Sequence, residues 1–471
     1  SSSTDYTGSI GNQTGAVVGF AVDMDNGHLW VHVNGTWING TPTYSDGTNK
    51  VASPNTDSTY IPFWTGNGGG SMTWEVNFGQ SSFTGTKPTG YSILTSANLP
   101  ETTLGPNSAE QPNDYFNTVL YTGNGYPAAG TQTISGVGFQ PDWTWIKNRS
   151  RSSYNHYLFD SLRGATKVLR SNVTNVEGTE AASLTSWNAD GFAIGANNEV
   201  NYQNDSIVSW NWKAGGDISG VSGNFAKDGV AFTPSHGTIT ASKITTNTTS
   251  GFAIVQFTSD LASDAGESAS PETVAHGLGK VPEWVIIKDT DGGSYPHWNV
   301  WHPGYQPDTT HLNYQLYLED TAAANNAGWT RADSGMTTNL FCIPRYQYNE
   351  TGKTYIAYVF NGVEGYSKFG HYAGNADTDG PYVYTGFRPA WVMIKCASGS
   401  SSWWMQDSKR SPFNVADEYL VADGNGAEGT YTALDLLSNG FKVRNTSSSF
   451  NTGTLVYAAF AETPSKYANA R

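Results

Sequence analysis

"GFQPDWTWIKNRS" opens at Gly138, "GFRPAWVMIKCAS" opens at Gly386, and between them stands "GLGKVPEWVIIKDTD" from Gly277. The pattern Pro-x-Trp-x-x-Ile-Lys thus occurs three times, at Pro141, Pro282 and Pro389. Proline begins a strand where no ladder donor is needed. Side chains then alternate, so Trp143, Trp145 and Lys147 fall on one face and Thr144 and Ile146 on the other. Both faces are apolar until the lysine, as in a central strand covered on two sides.

Further blocks follow each copy in the same order. After the first and last comes an aromatic strand ending in Asp-Ser-x-Arg, with Asp160 and Arg163 in "YLFDSLR" and Asp407 and Arg410 in "WWMQDSKR". The middle copy has "HWNVWHP", with His302 near the aspartate position. Blocks around Phe192, Phe341 and Phe441 come next, and each copy closes on "SIVSWNW", "TYIAYVF" or "TLVYAAF". These runs are rich in β-branched and aromatic residues, punctuated by Gly, Asn, Asp and Pro, and lack helical periodicity. The expected fold is all-β: tandem antiparallel β-sandwiches with very little helix. The expected division is 1–106, 107–216, 217–364 and 365–471.

If each core strand turns directly into its aromatic strand, Lys288 faces Trp298 and Trp284 faces His302. Likewise Lys395 faces Trp403 and Trp391 faces Asp407. In the first copy the same reading places Lys147 opposite Tyr157 and Trp143 opposite Ser161. Each lysine is then expected to rest on an aromatic ring.

The 471 residues exceed what one ordinary core accommodates. Charged residues make up 14% against about 25% in an average protein, and the net charge is −15. Nucleic acid and anionic membrane surfaces reward clustered Lys and Arg, so neither is an expected partner. No apolar run approaches the ~20 residues that span a bilayer, and membrane insertion is not expected. Cys342 and Cys396 lie in separate apolar stretches without metal or redox spacing, and read as buried thiols.

Before about Asn107 the pattern changes. "GFAVDMDNGHLWVHVNGTW" shows alternating strands broken at Asn26-Gly27 and Asn34-Gly35, strong hairpin signals. "IPFWTGNGGGSMTWEVNFGQSSF" reads as further strands, and "LPETTLGPNSAEQPND" as a linker. "VVGFAVDMDNGHLWVHVNG" followed by "VNFGQSSF" resembles the second half of a SPRY-type sandwich. The repeated blocks, from "FQPDWTWIKNRS" to "WNWKAGG" and again in "GPYVYTGFRPAWVMIK", resemble modules of virion proteins from marine tailed phages. This resemblance covers most of the chain. It implies an array of jelly-roll sandwiches of concanavalin-like or lectin-like type in a tail fibre, tail-associated protein or head appendage, located in the virion. The strands that normally precede "VVGFAV" are missing, so the chain reads as the C-terminal part of a longer protein.

"DMDNG" from Asp23 and "DTDGG" from Asp289 read as turns, since neither carries the further oxygen ligands and late Glu of a helix–loop–helix calcium site. Neither a metal nor another cofactor is expected. A glycosidase needs two carboxylates across a cleft. No close pair along one strand supplies them, and no nucleophile-elbow or phosphate-loop motif occurs. No catalytic residue is therefore assigned. Trp298, Trp301, Trp403 and Trp404 are candidate stacking platforms for sugar rings, with Asp407 positioning hydroxyls. Against this stands the ordinary role of tryptophan as core filling.

The leading expectation is a non-enzymatic virion adhesin. It would be homo-oligomeric, joined to other virion proteins, and would present its sandwiches to a host-surface glycan or protein. A head fibre or capsid decoration without a specific ligand is the alternative, and a surface-polysaccharide depolymerase a third.

Overall fold

The computed structural model describes residues 15–43, 45–54, 108–216, 224–259, 272–305, 314–325, 335–343 and 350–463, with isolated positions between 75 and 105. The chain forms two compact units, Ser1–Pro100 and Glu101–Arg471. In the first, Val18–Asp23, His28–Val33 and Thr36–Trp37 form an antiparallel meander. Asn34 and Gly35 both have positive φ, 51° and 82°, and close a two-residue hairpin between Val33 and Thr36 as their sequence requires. The Asp23 carboxylate accepts from the backbone and side-chain amides of Asn26 at 3.0 and 2.9 Å, so "DMDNG" is a turn held by its own aspartate. The strands expected over 61–83 lie outside the described residues.

The second unit holds all three copies, and each contains the same run of four antiparallel strands, a sheet by itself in copy one and part of an eight-stranded sheet in each of copies two and three. The order of the four is opening strand, closing strand, core strand, aromatic strand. In copy one these are Phe116–Thr122, Ser206–Trp212, Trp143–Asn148 and Tyr157–Asp160. In copy two they are Phe252–Thr258, Thr354–Phe360, Trp284–Asp289 and Trp298–Trp301. In copy three they are Ser367–Ala373, Thr454–Ala461, Pro389–Cys396 and Trp404–Asp407. A short second layer covers one face of each, built from a separate sheet in copies one and two and from the far strands of the same eight-stranded sheet in copy three. It carries the Phe blocks, with Phe192 opposite Ile134, Phe341 opposite Val274 and Phe441 opposite Val383. Gly191 and Gly440 precede two of these phenylalanines because a Cβ at either would lie 2.1 Å from a carbonyl oxygen of the neighbouring strand. The molecule is thus all-β, with helix among the described residues reduced to single turns such as Pro112–Asp114 and Ser448–Asn451.

The alternation along the core strands shows what covers the other face. Ile146 packs inside its own sandwich, as do Val285 with Ile287 and Val392 with Ile394. Trp143 with Trp145, Trp284 with Ile286, and Trp391 with Met393 all point into one shared core. The closing strands contribute Trp210, Trp212, Tyr358, Phe360 and Phe460 to it. Trp143 stacks on Tyr358 of copy two at 4.4 Å, Trp212 meets Trp391 of copy three edge-on at 5.8 Å, and Trp284 lies 5.5 Å from Phe369 of copy three. A row of separate sandwiches would expose all these rings. Burying them against one another makes 107–216, 217–364 and 365–471 three sectors of a single body.

The strand register in copies two and three is the expected one. Lys288 pairs with Trp298 and Trp391 with Asp407. Copy one departs by one residue, since Trp143 pairs with Asp160, not Ser161. A one-residue slip exchanges faces, and this register keeps Tyr157 and Phe159 inside their own sandwich while Leu158 joins the shared core.

Candidate functional site

Most charged and indole groups that the sequence singles out lie in the three seams between copies. Asp160 is fully buried and accepts from Arg163 through Nε at 2.5 Å and through its backbone N–H at 2.9 Å. Its Oδ2 also accepts from the Tyr358 hydroxyl of copy two at 2.8 Å. Asp407 repeats this arrangement. It accepts from Arg410 Nε at 2.5 Å and Arg410 N–H at 2.9 Å, and then from Trp210 Nε1 of copy one at 3.0 Å. Tyr358 pairs with Ile254, Trp210 with Thr118, and Ala458 with Phe369, so these three closing-strand positions correspond. Ala458 has no side-chain donor. The residue facing it from copy two is accordingly not an aspartate but His302, whose Nε2 meets the carbonyl of Tyr457 at 3.2 Å while its Nδ1 accepts from Gly304 at 2.9 Å. Burial pushes the His302 imidazole down to about 4, with the neighbouring His371 acting in the same direction.

A second ring of contacts runs the opposite way. Trp298 Nε1 donates to Arg170 O of copy one at 2.9 Å, and Trp403 Nε1 to Tyr317 O of copy two at 2.7 Å. Lys288 and Lys395 follow them, donating to Thr174 O and Thr321 O at 3.1 and 3.0 Å. Between copies one and three the link is instead Arg149, which grips Glu428 at 2.6 and 2.8 Å. Lys147, Lys288 and Lys395 are all buried, and desolvation pushes each ammonium down to about 8. The expected ring contact is made by Lys288, 6.0 Å over Trp298, and not by the other two, whose ammonium groups donate to backbone carbonyls.

This placement corrects the stacking reading for four of its five residues. Trp298, Trp301, Trp403 and Asp407 are at most 3% exposed, so none presents a face to a ligand. Asp289 likewise serves its turn, accepting from the backbone of Asp291 and Gly292 at 2.8 and 2.9 Å. Cys342 and Cys396 are buried free thiols, as expected.

Trp404 differs. It is partly exposed, and its indole lies 4.4 Å from Tyr419, 4.9 Å from Phe450 and 5.7 Å from Tyr431. Tyr431 stacks over Phe450 at 19° and is 39% exposed. The one-turn helix Ser448–Asn451 holds Phe450 beneath them: the Ser447 hydroxyl caps it, and Phe450 O accepts from the Tyr372 hydroxyl at 2.7 Å. The result is a half-open aromatic patch at the third sandwich. The matching residue of copy one, Tyr157, is buried under the Arg170 guanidinium 4.8 Å away, and copy two has Asn299 there. Sequence reading found Trp404 but not Tyr419, Tyr431 and Phe450. Those come from three separated segments, and only the alternation in "GTYTALDLL" marks Tyr431 as outward-facing.

A model of a domain of unknown function, DUF7483, matches residues 111–464, well over half of the chain. The chain belongs to the DUF7483 family. The DUF7483 match encloses all three copies as one domain, in keeping with their single shared core. No curated protein and no solved structure matches the chain.

Proposed function

We propose that the chain is a non-enzymatic attachment protein of a phage-type virion, in which a three-sector β-scaffold presents the Trp404 patch to a host-surface glycan. The observation that carries this reading is the half-exposed cluster of Trp404, Tyr419 and Tyr431 on a rigid frame. Flat apolar rings with polar margins suit the faces of sugar rings, and elements locked by packing hold such a site better than free loops do. The commitment of Asp160, Arg163, Asp407 and Arg410 to the seams supports a scaffold role for those groups. The resemblance to tailed-phage virion modules supplies the setting, with other virion proteins and further copies of the chain as partners.

Binding to immobilised host-surface polysaccharide tests the proposal. Tyr431→Ala and Trp404→Ala should each weaken binding at least about tenfold, roughly 1.4 kcal/mol. Tyr431→Ala should do so without shifting the unfolding midpoint, because its ring is the more exposed. Retained binding in both variants would place the glycan site away from this patch and overturn the proposal, and no binding by the wild type would favour an appendage without a ligand.

A further inference from the structure

The three seams provide an internal comparison, because corresponding positions ought to be filled alike. Two residues past Asp160 stands Leu162, buried beside Ile254 in the shared core. Two residues past His302 stands Gly304, against His371, with Tyr305 packed onto the core. In the first of these seams both positions are apolar and buried. Two residues past Asp407 stands Lys409, which is exposed, and the position of Ile254 is taken by Thr118. A groove of ≈ 220 Å³ opens there, between copies one and three.

Its floor is apolar, with Phe116, Ala390 and Ala461, and its polar groups include Thr118, Ser408, Lys409 and Glu462. Thr118 is 5% exposed and its hydroxyl has no hydrogen-bond partner. Glu462 is paired with Arg388 Nε at 3.1 Å and lines the groove together with Lys409.

We infer that this groove is a second, separate binding site for one neutral sugar ring. The volume lies below the about 300–1,000 Å³ of sites for drug-sized ligands, which suits a single ring. An apolar floor takes the C–H face of such a ring. Hydroxyl, ammonium and carboxylate groups around it match ring hydroxyls, which both donate and accept. A ligand hydroxyl at the floor supplies the partner that Thr118 lacks. The inference does not rest on the Trp404 patch.

Saturation-transfer NMR with glucose, galactose and mannose at millimolar concentration is the test, with glucuronic acid as the charged comparison. The wild type should show transfer to at least one neutral hexose. Thr118→Ile combined with Lys409→Leu installs the apolar pair that Ile254 and Leu162 form in the seam of copies one and two, and should weaken that binding at least about tenfold. Ser408→Ala, a smaller change, should weaken it as well and covers the case in which the double variant does not fold. Repeated in a Trp404→Ala background, the same comparison reads the groove alone, so failure here and failure of the aromatic patch are distinguishable. Absence of transfer in the wild type, preference for glucuronic acid, or undiminished transfer in both groove variants would overturn the inference.

Discussion

Replacing Asp407 with asparagine tests whether the seams hold the sectors together. The carboxylate accepts four bonds: from Lys409 N–H at 3.1 Å, Arg410 N–H at 2.9 Å, Arg410 Nε at 2.5 Å and Trp210 Nε1 at 3.0 Å. In Asp407→Asn the remaining oxygen can still serve the two backbone donors. The new amide then faces Arg410 Nε and Trp210 Nε1 donor to donor. Arg410 keeps Met405 O at 3.0 Å and Glu428 at 3.1 Å, but its charge stays buried with its nearest counter-ion gone. Breaking a buried pair in this way costs about 3–5 kcal/mol, a large part of the 5–15 kcal/mol typical of a domain. Urea unfolding followed by tryptophan fluorescence and far-ultraviolet dichroism should show a lower midpoint, an unchanged slope and one transition by both probes. Adding Trp210→Phe should cost little further, because its N–H has already lost its acceptor, giving a coupling of about 0.5–3 kcal/mol. A loss under about 1 kcal/mol, strict additivity, or separate transitions for separate copies would refute the reasoning.

Residues 107–216 expressed alone should fail to fold cooperatively and should bind a hydrophobic dye, because Trp143, Trp145, Trp210 and Trp212 lose their cover; a sharp thermal transition would contradict this. His302 sits below the ordinary histidine value of about 6.5, so the unfolded chain takes up its proton first as pH falls. About 3 kcal/mol of stability should be lost between pH 6.5 and about 4, and wild type compared with His302→Gln isolates this from Asp142, whose carboxyl burial pushes up to about 6 and which acts in the opposite sense. Lys147, Lys288 and Lys395 lose their protons near pH 8 when folded and near 10.5 when unfolded. Stability should therefore rise across that window by up to about 3 kcal/mol per lysine, and denaturation of Lys395→Met should show roughly a third less slope.

Much of this fold is legible in the residue order, for a physical reason: copied blocks carry copied strand partners. Trp391 opposite Asp407 follows from counting back across one hairpin. The two apolar faces of "PDWTWIKN" are equally legible, but their cover is not, because a residue pattern looks the same whether the second face meets a helix or another copy. That ambiguity led to a row of domains where there is one body. It also left the Asp-Ser-x-Arg blocks without a role, since the donors that complete them, Tyr358 and Trp210, come from the next sector. The exchange of aspartate for His302 makes sense only beside Ala458, more than 150 positions away and in a different copy. The tryptophans read as platforms in the sequence because nothing local distinguishes an indole that donates across a seam from one that faces solvent.

The contact between the first and last copies bears on how the chain is made. The closing strand of copy one ends at Trp212 and that of copy three at Ala461, so 249 residues of synthesis separate them. At about 5–20 residues per second that is a wait of roughly 10–50 s. Throughout it, the first sector holds its indoles toward a core whose last wall is still inside the ribosome. The body can close when that final strand emerges, and until then the nascent chain depends on whatever shields exposed aromatic surface in the cell that makes it.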